Sequence, residues 1–277
     1  MSSGGICMST AADRIAVFED TLAWIESDQK LQESVEESKT KTFVFYEDYY
    51  PQFNVIKLKD TVIKISGDRS FQAAKRLHDE NNNWKIAVMN FANAFRAGGG
   101  VADGASAQEE SLCRISTLYP VISWDSLKDT FYQHHHDLGT HTASDSLIYT
   151  EGITICKTDE DIPKRLPVDE WVTVDVMTIA APDLRFGALY LNEAALFGYH
   201  VKRAIHMLTC AAAKKADVLV LGAFGCGAFM NNPETVAKAY KLAIQEFPKV
   251  FEKIEFAIFC PPDESYNFDV FNRIMSN

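Results

Sequence analysis

Apolar residues recur at Ile15, Phe18, Leu22 and Ile25, the three-and-four spacing of an amphipathic helix. Thr10 stands ahead of them as an N-cap, and Asp13, three residues on, completes a capping box. The polar stretch from Glu26 to Lys41 shows no strong pattern. Phe43–Tyr46 and Val62–Ile65 are short strand candidates, Ser70–His78 predicts a helix, and Trp84–Asn90 predicts a strand. From residue 84 onward the two kinds of element alternate. A helix is predicted over Ala107–Leu118, then strands at Leu147–Thr150, Ile153–Cys156 and Trp171–Ala181. The long helix Asn192–Lys215 carries Leu196, Val201, Ile205, Leu208 and Ala212 on a broad apolar face. Asp217–Gly222 is a continuous apolar run, as in a strand buried on both faces. Asn232-Pro233 pairs an N-cap with proline at the first helical position, opening a helix to about Phe247, and Ile254–Cys260 is the last strand. This order predicts an α/β three-layer domain with a largely parallel sheet. No repeat or low-complexity linker divides the chain. The expected division is an extension over residues 1–82 packed on a core domain over residues 83–277.

With 47% apolar residues in 277, the chain has material for a large core. A net charge of -11 argues against a general or sequence-specific nucleic-acid binder, which needs a basic face. An anionic ligand would therefore be held locally, by backbone N–H groups. The six cysteines are scattered and form no CxxC, so zinc-ribbon and thioredoxin chemistry are not suggested and a reducing, cytoplasmic setting fits. Met1–Met8 has neither a basic region nor an apolar core of leader length, and no apolar run approaches the roughly 20 residues that span a bilayer. No membrane association is expected.

The candidate chemistry centres on Gly98-Gly99-Gly100, seven further residues, and Gln108-Glu109-Glu110, directly after the Trp84–Asn90 strand. Glycines let backbone approach another group closely, because no Cβ intervenes. Adjacent carboxylates supply charge and a proton donor or acceptor. The plainer alternative is a surface loop running into an acidic helix start, where glutamates are favoured anyway. A second glycine-containing turn, Gly222–Met230, follows another apolar strand just ahead of a helix N-terminus, where unpaired N–H groups attract phosphate. Gly225-Cys226-Gly227 would wrap a diphosphate there, or form an ordinary strand-to-helix turn. Phe224 and Phe229 border it, as core packing or as ligand walls. Asn90 and Asn93 would bond ribose hydroxyls or brace the loop. His134-His135-His136 and His141 invite a metal reading. Tyr132–Thr142 reads as a loop, however, and three consecutive histidines cannot face one ion from a regular element. No metal is assigned, and Asp145 and Asp183 are taken as structural, with a minor ligand role open for Asp183, which follows Ala181-Pro182 at a strand end near the expected site.

The string of three glycines, six to eight residues and Gln-Glu-Glu resembles the signature of poly(ADP-ribose) glycohydrolases. Asn90-Phe91-Ala92-Asn93, Leu221–Glu234 and the helix beginning near Asp13 resemble the bacterial branch of that family. One departure is Arg96-Ala97, where many relatives place proline before the glycines. The resemblance implies the macrodomain fold, with a mixed, largely parallel sheet and N-terminal helical and strand additions. It implies Glu110 as the acid/base that protonates the departing ribose oxygen and then assists water. Glu109 would orient ribose hydroxyls, Gln108 would support the pair, and Phe229 would lie against a ribose. Gly98, Gly99, Gly100, Gly225, Cys226 and Gly227 would contact the ligand, with no cofactor needed. The expected substrate is poly(ADP-ribose) on modified proteins, cleaved at ribose–ribose bonds. Hydrolysis of mono-ADP-ribosyl protein, for example on arginine, and ADP-ribose binding without catalysis remain the alternatives. The two glutamates count against the last.

Overall fold

In the computed structural model, residues 9–186, 191–261 and 264–276 are described; Met1–Met8, including Cys7, lie outside them. Two N-terminal helices open the chain, α1 (Ala11–Ser27) and α2 (Gln29–Thr40). Thr10 and Asp13 form the expected capping box on α1. The polar stretch after α1 is a helix. Asp28 caps it, and Leu31, Val35 and Ser38 supply a narrow buried stripe four and three residues apart.

Strands β1 (Thr42–Phe45) and β2 (Val62–Ser66) follow, then α3 (Ser70–Glu80) and β3 (Ile86–Ala92). The predicted 107–118 helix is two helices, α4 (Gln108–Ile115) and α5 (Leu118–Ile122). The break has a cause. Ser116 bridges to Ile155, and Thr117 exchanges hydrogen bonds with the backbone of Thr154, which pulls the chain out of helix. After the short turn α6 (Asp125–Leu127), residues 128–132 form a π-helical turn that runs into α7 (Gln133–Leu138). The histidine run is therefore helical and not a loop.

The two strand candidates at 147–156 are one strand, β4 (Leu147–Ile155), whose register shifts between Thr150 and Ile153, where Gly152 has φ +84°. β5 (Val172–Ala180), α8 (Glu193–Ala213), β6 (Val218–Leu221), α9 (Pro233–Ile244) and β7 (Lys253–Ala257) fall near their predicted places. A final helix, α10 (Tyr266–Met275), was not anticipated.

The seven strands form one sheet in the order β1-β4-β5-β3-β6-β7-β2. The pairings of β1 and β5 with β4 are antiparallel and the remaining four are parallel. Strand residues alternate between two apolar layers. Ile86, Val88, Val218 and Val220 face α1 to α5, whereas Ala87, Met89, Leu219 and Leu221 face α8, α9 and α10. The sheet is thus covered on both sides, the three-layer arrangement the alternation predicts. Both of its edge strands, β1 and β2, come from the first 82 residues. The parallel block β5-β3-β6-β7-β2 sends five carboxyl ends to one side, which is where such sheets bind ligands.

Candidate active site

A cavity of about 840 Å³ opens at those carboxyl ends. One wall runs from the end of β3 into the first turn of α4, including Asn93, Gly100 and Ala105 to Glu110. The facing wall is the turn after β6, with Gly225, Gly227 and Phe229. The two candidate motifs, more than 100 residues apart, therefore meet across one cleft.

The glutamates are not the exposed acidic start of a surface helix. Glu109 is 2% exposed and Glu110 8%, although both sit in the first turn of α4. Glu109 lies deeper. Its Oε2 accepts the Asn93 N–H at 2.8 Å and its Oε1 accepts Asn90 Nδ2 at 3.2 Å. Burial, and next the charge of Glu110, push its carboxyl up to about 8 despite those donors. Glu110 Oε1 accepts the Gly100 N–H at 2.9 Å, whereas Oε2 has no partner among the described residues. Glu110 also lines the cavity, which leaves one carboxylate oxygen available to a bound molecule.

The glycine run makes room for the protein's own side chains. Gly98 and Gly99 have φ +70° and +55°, the left-handed region. A Cβ on Gly99 would lie 2.5 Å from Glu110 Oε1, and one on Gly98 would lie 2.7 Å from the Tyr119 ring. Gly100 lines the cavity and contributes its N–H to Glu110.

Both asparagines brace. Asn90 is fully buried, with Nδ2 shared between Glu109 and Thr178 Oγ1 at 3.2 Å each. Asn93 Oδ1 accepts the N–H groups of Phe95 (2.8 Å) and Arg96 (3.1 Å), which shapes the turn where relatives carry proline. Gln108 clamps the end of β3. Its Oε1 accepts Phe91 N–H at 2.9 Å and its Nε2 donates to Met89 O at 2.7 Å.

In the facing turn, Gly225 has φ +73°, and a Cβ there would lie 2.6 Å from Ala181 Cβ. A Cβ on Gly227 would meet nothing within 4 Å. The N–H groups of Gly225, Gly227, Ala228 and Phe229 donate to no acceptor among the described residues, whereas that of Cys226 donates to Ala223 O at 3.0 Å. The Cys226 side chain lies off the cavity and its thiol is pushed far up by burial. Phe224 is core, 1% exposed and edge-on to Phe91. Phe229 is half-buried on the cavity wall, with the Arg185 guanidinium 5.1 Å above its ring.

The histidines diverge. His134 bonds Glu47 at 3.0 Å, His135 bonds Phe131 O and Ser144, and His136 bonds Phe95 O at 3.1 Å. Among the described residues no three His, Cys, Asp or Glu converge as a metal site. Asp145 pairs with the buried Arg203 at 3.0 Å. Asp183 holds Arg185 at the cleft rim, with 2.6 Å between Asp183 Oδ2 and Arg185 Nη2. Sequence reasoning missed Tyr119, Thr178 and Arg185, which belong to no motif, and Asn231, which lies in the Leu221–Glu234 segment without an assigned role.

The raised Glu109 carboxyl has a consequence for stability. The folded state keeps that proton up to about pH 8, whereas the unfolded chain loses it near 4.5. Between these values the folded state binds more protons, so this group makes stability fall as pH rises. Glu109→Gln should abolish that part of the decline. Denaturant melts of both proteins at pH 5 and pH 9 should show the variant gaining on the parent, by up to about 4 kcal/mol, since roughly three pH units of that interval lie above pH 5 at roughly 1.4 kcal/mol each. Equal pH slopes would refute the buried, protonated carboxyl.

The comparisons with known proteins agree with one another. The family model "Microbial-type PARG, catalytic domain" matches residues 15–158, more than half of the chain. The poly(ADP-ribose) glycohydrolase (PARG) of Thermomonospora curvata superposes with a TM-score of 0.84 at 25% identity, covering 95% of this chain and 99% of that one. The same enzyme bound to the inhibitor ADP-HPD gives 0.82 at 27%, with the same coverage. The Deinococcus radiodurans PARG in complex with ADP-ribose gives 0.77 at 27%, covering 87% of this chain and 96% of that one. A comparison with curated protein sequences gave no match.

Proposed function

The chain belongs to the microbial-type PARG family, and we propose that the cleft between its two glycine-containing walls is where it releases ADP-ribose from poly(ADP-ribose). The macrodomain-like fold and the glycosidase-type hydrolytic activity follow from that membership. The roles of individual residues are our reading. One observation carries it: Glu110 lines the cleft, is held by Gly100 through one oxygen with the other unpartnered among the described residues, and stands beside the buried carboxyl of Glu109.

In this reading the two carboxyls carry one proton between them, and Glu110 donates it to the ribose oxygen that leaves as the ribose–ribose C–O bond breaks. The sugar passes through an oxocarbenium-like state. The Glu110 carboxylate then takes a proton from water as the remaining hydroxide bonds the anomeric carbon. Glu109 orients ribose hydroxyls, and the proton held by the pair relieves repulsion between the two carboxyls. Asn90, Asn93 and Gln108 hold this pair and the loop around it. The four unpaired N–H groups between Gly225 and Phe229 receive the diphosphate, near the amino end of α9, where the helix dipole also favours an anion. Phe229 forms a wall for a ribose. The scheme uses carboxylates and backbone donors alone.

Among the described residues no helix is long and apolar enough to cross a membrane. Among the described residues five cysteines are free thiols, which supports action in a reducing compartment such as the cytoplasm, on ADP-ribosylated proteins. Incubating the protein with defined poly- and mono-ADP-ribosylated substrates tests the reading. Free ADP-ribose should come from poly chains. Release from mono-ADP-ribosyl arginine alone would move the activity to the other linkage, and binding without release would leave a recognition module.

A further inference from the structure

The turn that faces the glutamates is held from behind by a single side chain. Asn231 is 3% exposed and lies between the main cleft and a smaller cavity of about 250 Å³ that His200 and Thr235 help to line. Its Nδ2 donates to Pro182 O at 2.8 Å and Gly225 O at 3.1 Å, with a longer contact of 3.4 Å to Phe229 O. Its backbone N–H donates to Gly225 O at 3.0 Å. Asn231 therefore ties both ends of the turn to the segment leaving β5, and the Leu184 N–H makes a second tie to Phe229 O at 3.1 Å. The turn is fitted around it, since a Cβ on Gly225 would lie 2.6 Å from Asn231 Nδ2.

Carbonyl oxygens only accept, so their convergence fixes which end of the Asn231 amide points at them. Oδ1 is left facing α8, where His200 Nε2 lies 2.9 Å away. Nε2 must then carry the hydrogen, and Nδ1 is the bare nitrogen. His200 is 2% exposed and Nδ1 has no partner among the described residues. Burial lowers the imidazole to about 4, so the ring stays neutral in ordinary buffers and keeps this tautomer. An apolar residue would fill the space against Phe224, whose ring centroid is 6.1 Å away, without burying an unsatisfied nitrogen. What the histidine adds is the one bond to Asn231.

We propose that His200 is a positioning residue: acting through Asn231, it holds the N–H groups of Gly225, Gly227, Ala228 and Phe229 in the arrangement that receives a diphosphate. The ligand half of this statement rests on the ADP-ribose reading above. Because Asn231 also contacts Phe229 O, the same pair sets the ring over which Arg185 lies.

Two measurements test it on the full chain: hydrogen exchange, without ligand, of the turn's bonded amides, those of Cys226, Met230 and Asn231, and ADP-ribose calorimetry. His200→Leu should speed exchange of the turn and raise the Kd, each by ~10-fold, the size of one lost hydrogen bond. His200→Gln brings an amide N–H close to the position of Nε2 and should recover most of both. Asn231→Asp turns an acceptor toward the carbonyls and should do at least as much damage as His200→Leu, which covers the case in which that variant fails to fold. In turnover assays KM should rise while kcat stays within about 2-fold, because Glu110 is held by a different loop. Folded His200→Leu and Asn231→Asp proteins with exchange and Kd within about 2-fold of the parent would overturn the proposal. So would a fall in kcat at unchanged KM. A parent protein that does not bind ADP-ribose would instead overturn the ligand reading, and the exchange data alone would then decide whether the pair holds the turn.

Discussion

Glu110→Gln is expected to lower the release of ADP-ribose from poly(ADP-ribose) by at least ~100-fold, the range for losing a general acid. Glutamine keeps the size of the side chain and an oxygen to accept the Gly100 N–H, a bond that measures 2.9 Å in the parent. What it removes is the titratable proton at the oxygen facing the cleft. Binding should therefore survive, because the diphosphate is received by the opposite wall. A calorimetric Kd for ADP-ribose within about 3-fold of the parent, together with the loss of turnover, is the expected pair of results. Turnover near the parent's would remove Glu110 from the acid/base role. Lost binding and lost turnover together would instead mean that the substitution disturbed the loop, and exchange of the Gly98–Gly100 amides would report that directly.

Much of the fold was legible because local chemistry and tertiary need coincide. Thr10 with Asp13, and Asn232 with Pro233, cap helices whatever surrounds them. The all-apolar run Val218–Leu221 has no polar face to expose, so it had to be a central strand. The misses lie where the two diverge. In α2 the stripe is only Leu31, Val35 and Ser38, and a helix with so narrow a face forms because α1 and β4 bury it. The histidine run is helical because His135 is drawn inside, to Phe131 O and Ser144. Nothing local requires that.

The site divides in the same way. Residue types and spacing placed the two glutamates and two glycine-containing segments on the page, and the resemblance supplied their roles. Depth was not legible: two glutamates at a helix start suit a solvated surface, and only the assembled sheet shows them 2% and 8% exposed. Nor was it legible what the glycines avoid. The groups that a Cβ would strike belong to Glu110 and Tyr119, 11 and 21 residues downstream of Gly99 and Gly98. The link from His200 to Asn231 spans 31 residues and has no motif.

The crowding at Gly99 leads to the second large effect. Gly99→Ala puts a methyl group 2.5 Å from Glu110 Oε1, well inside contact distance, on a backbone whose φ of +55° already disfavours alanine. The backbone strain alone costs about 1–2 kcal/mol. The clash is with the far end of a side chain, so the protein can relieve it by swinging the carboxylate away and giving up the Gly100 N–H. The chain should still fold, with Glu110 displaced by about 1 Å or more, a misplacement that can cost ~100-fold in rate. Gly139→Ala separates strain from displacement. Gly139 has nearly the same φ, +57°, yet the nearest atom to an added Cβ there is His136 O at 3.9 Å. Both variants should lose the strain energy in denaturant melts, Gly99→Ala more because it also gives up the Gly100 bond, and only Gly99→Ala should lose turnover. Equal activity in the two would mean that the glycine run does not set the position of Glu110. Equal loss in the two would mean that strain, rather than the carboxylate's place, is what the activity follows.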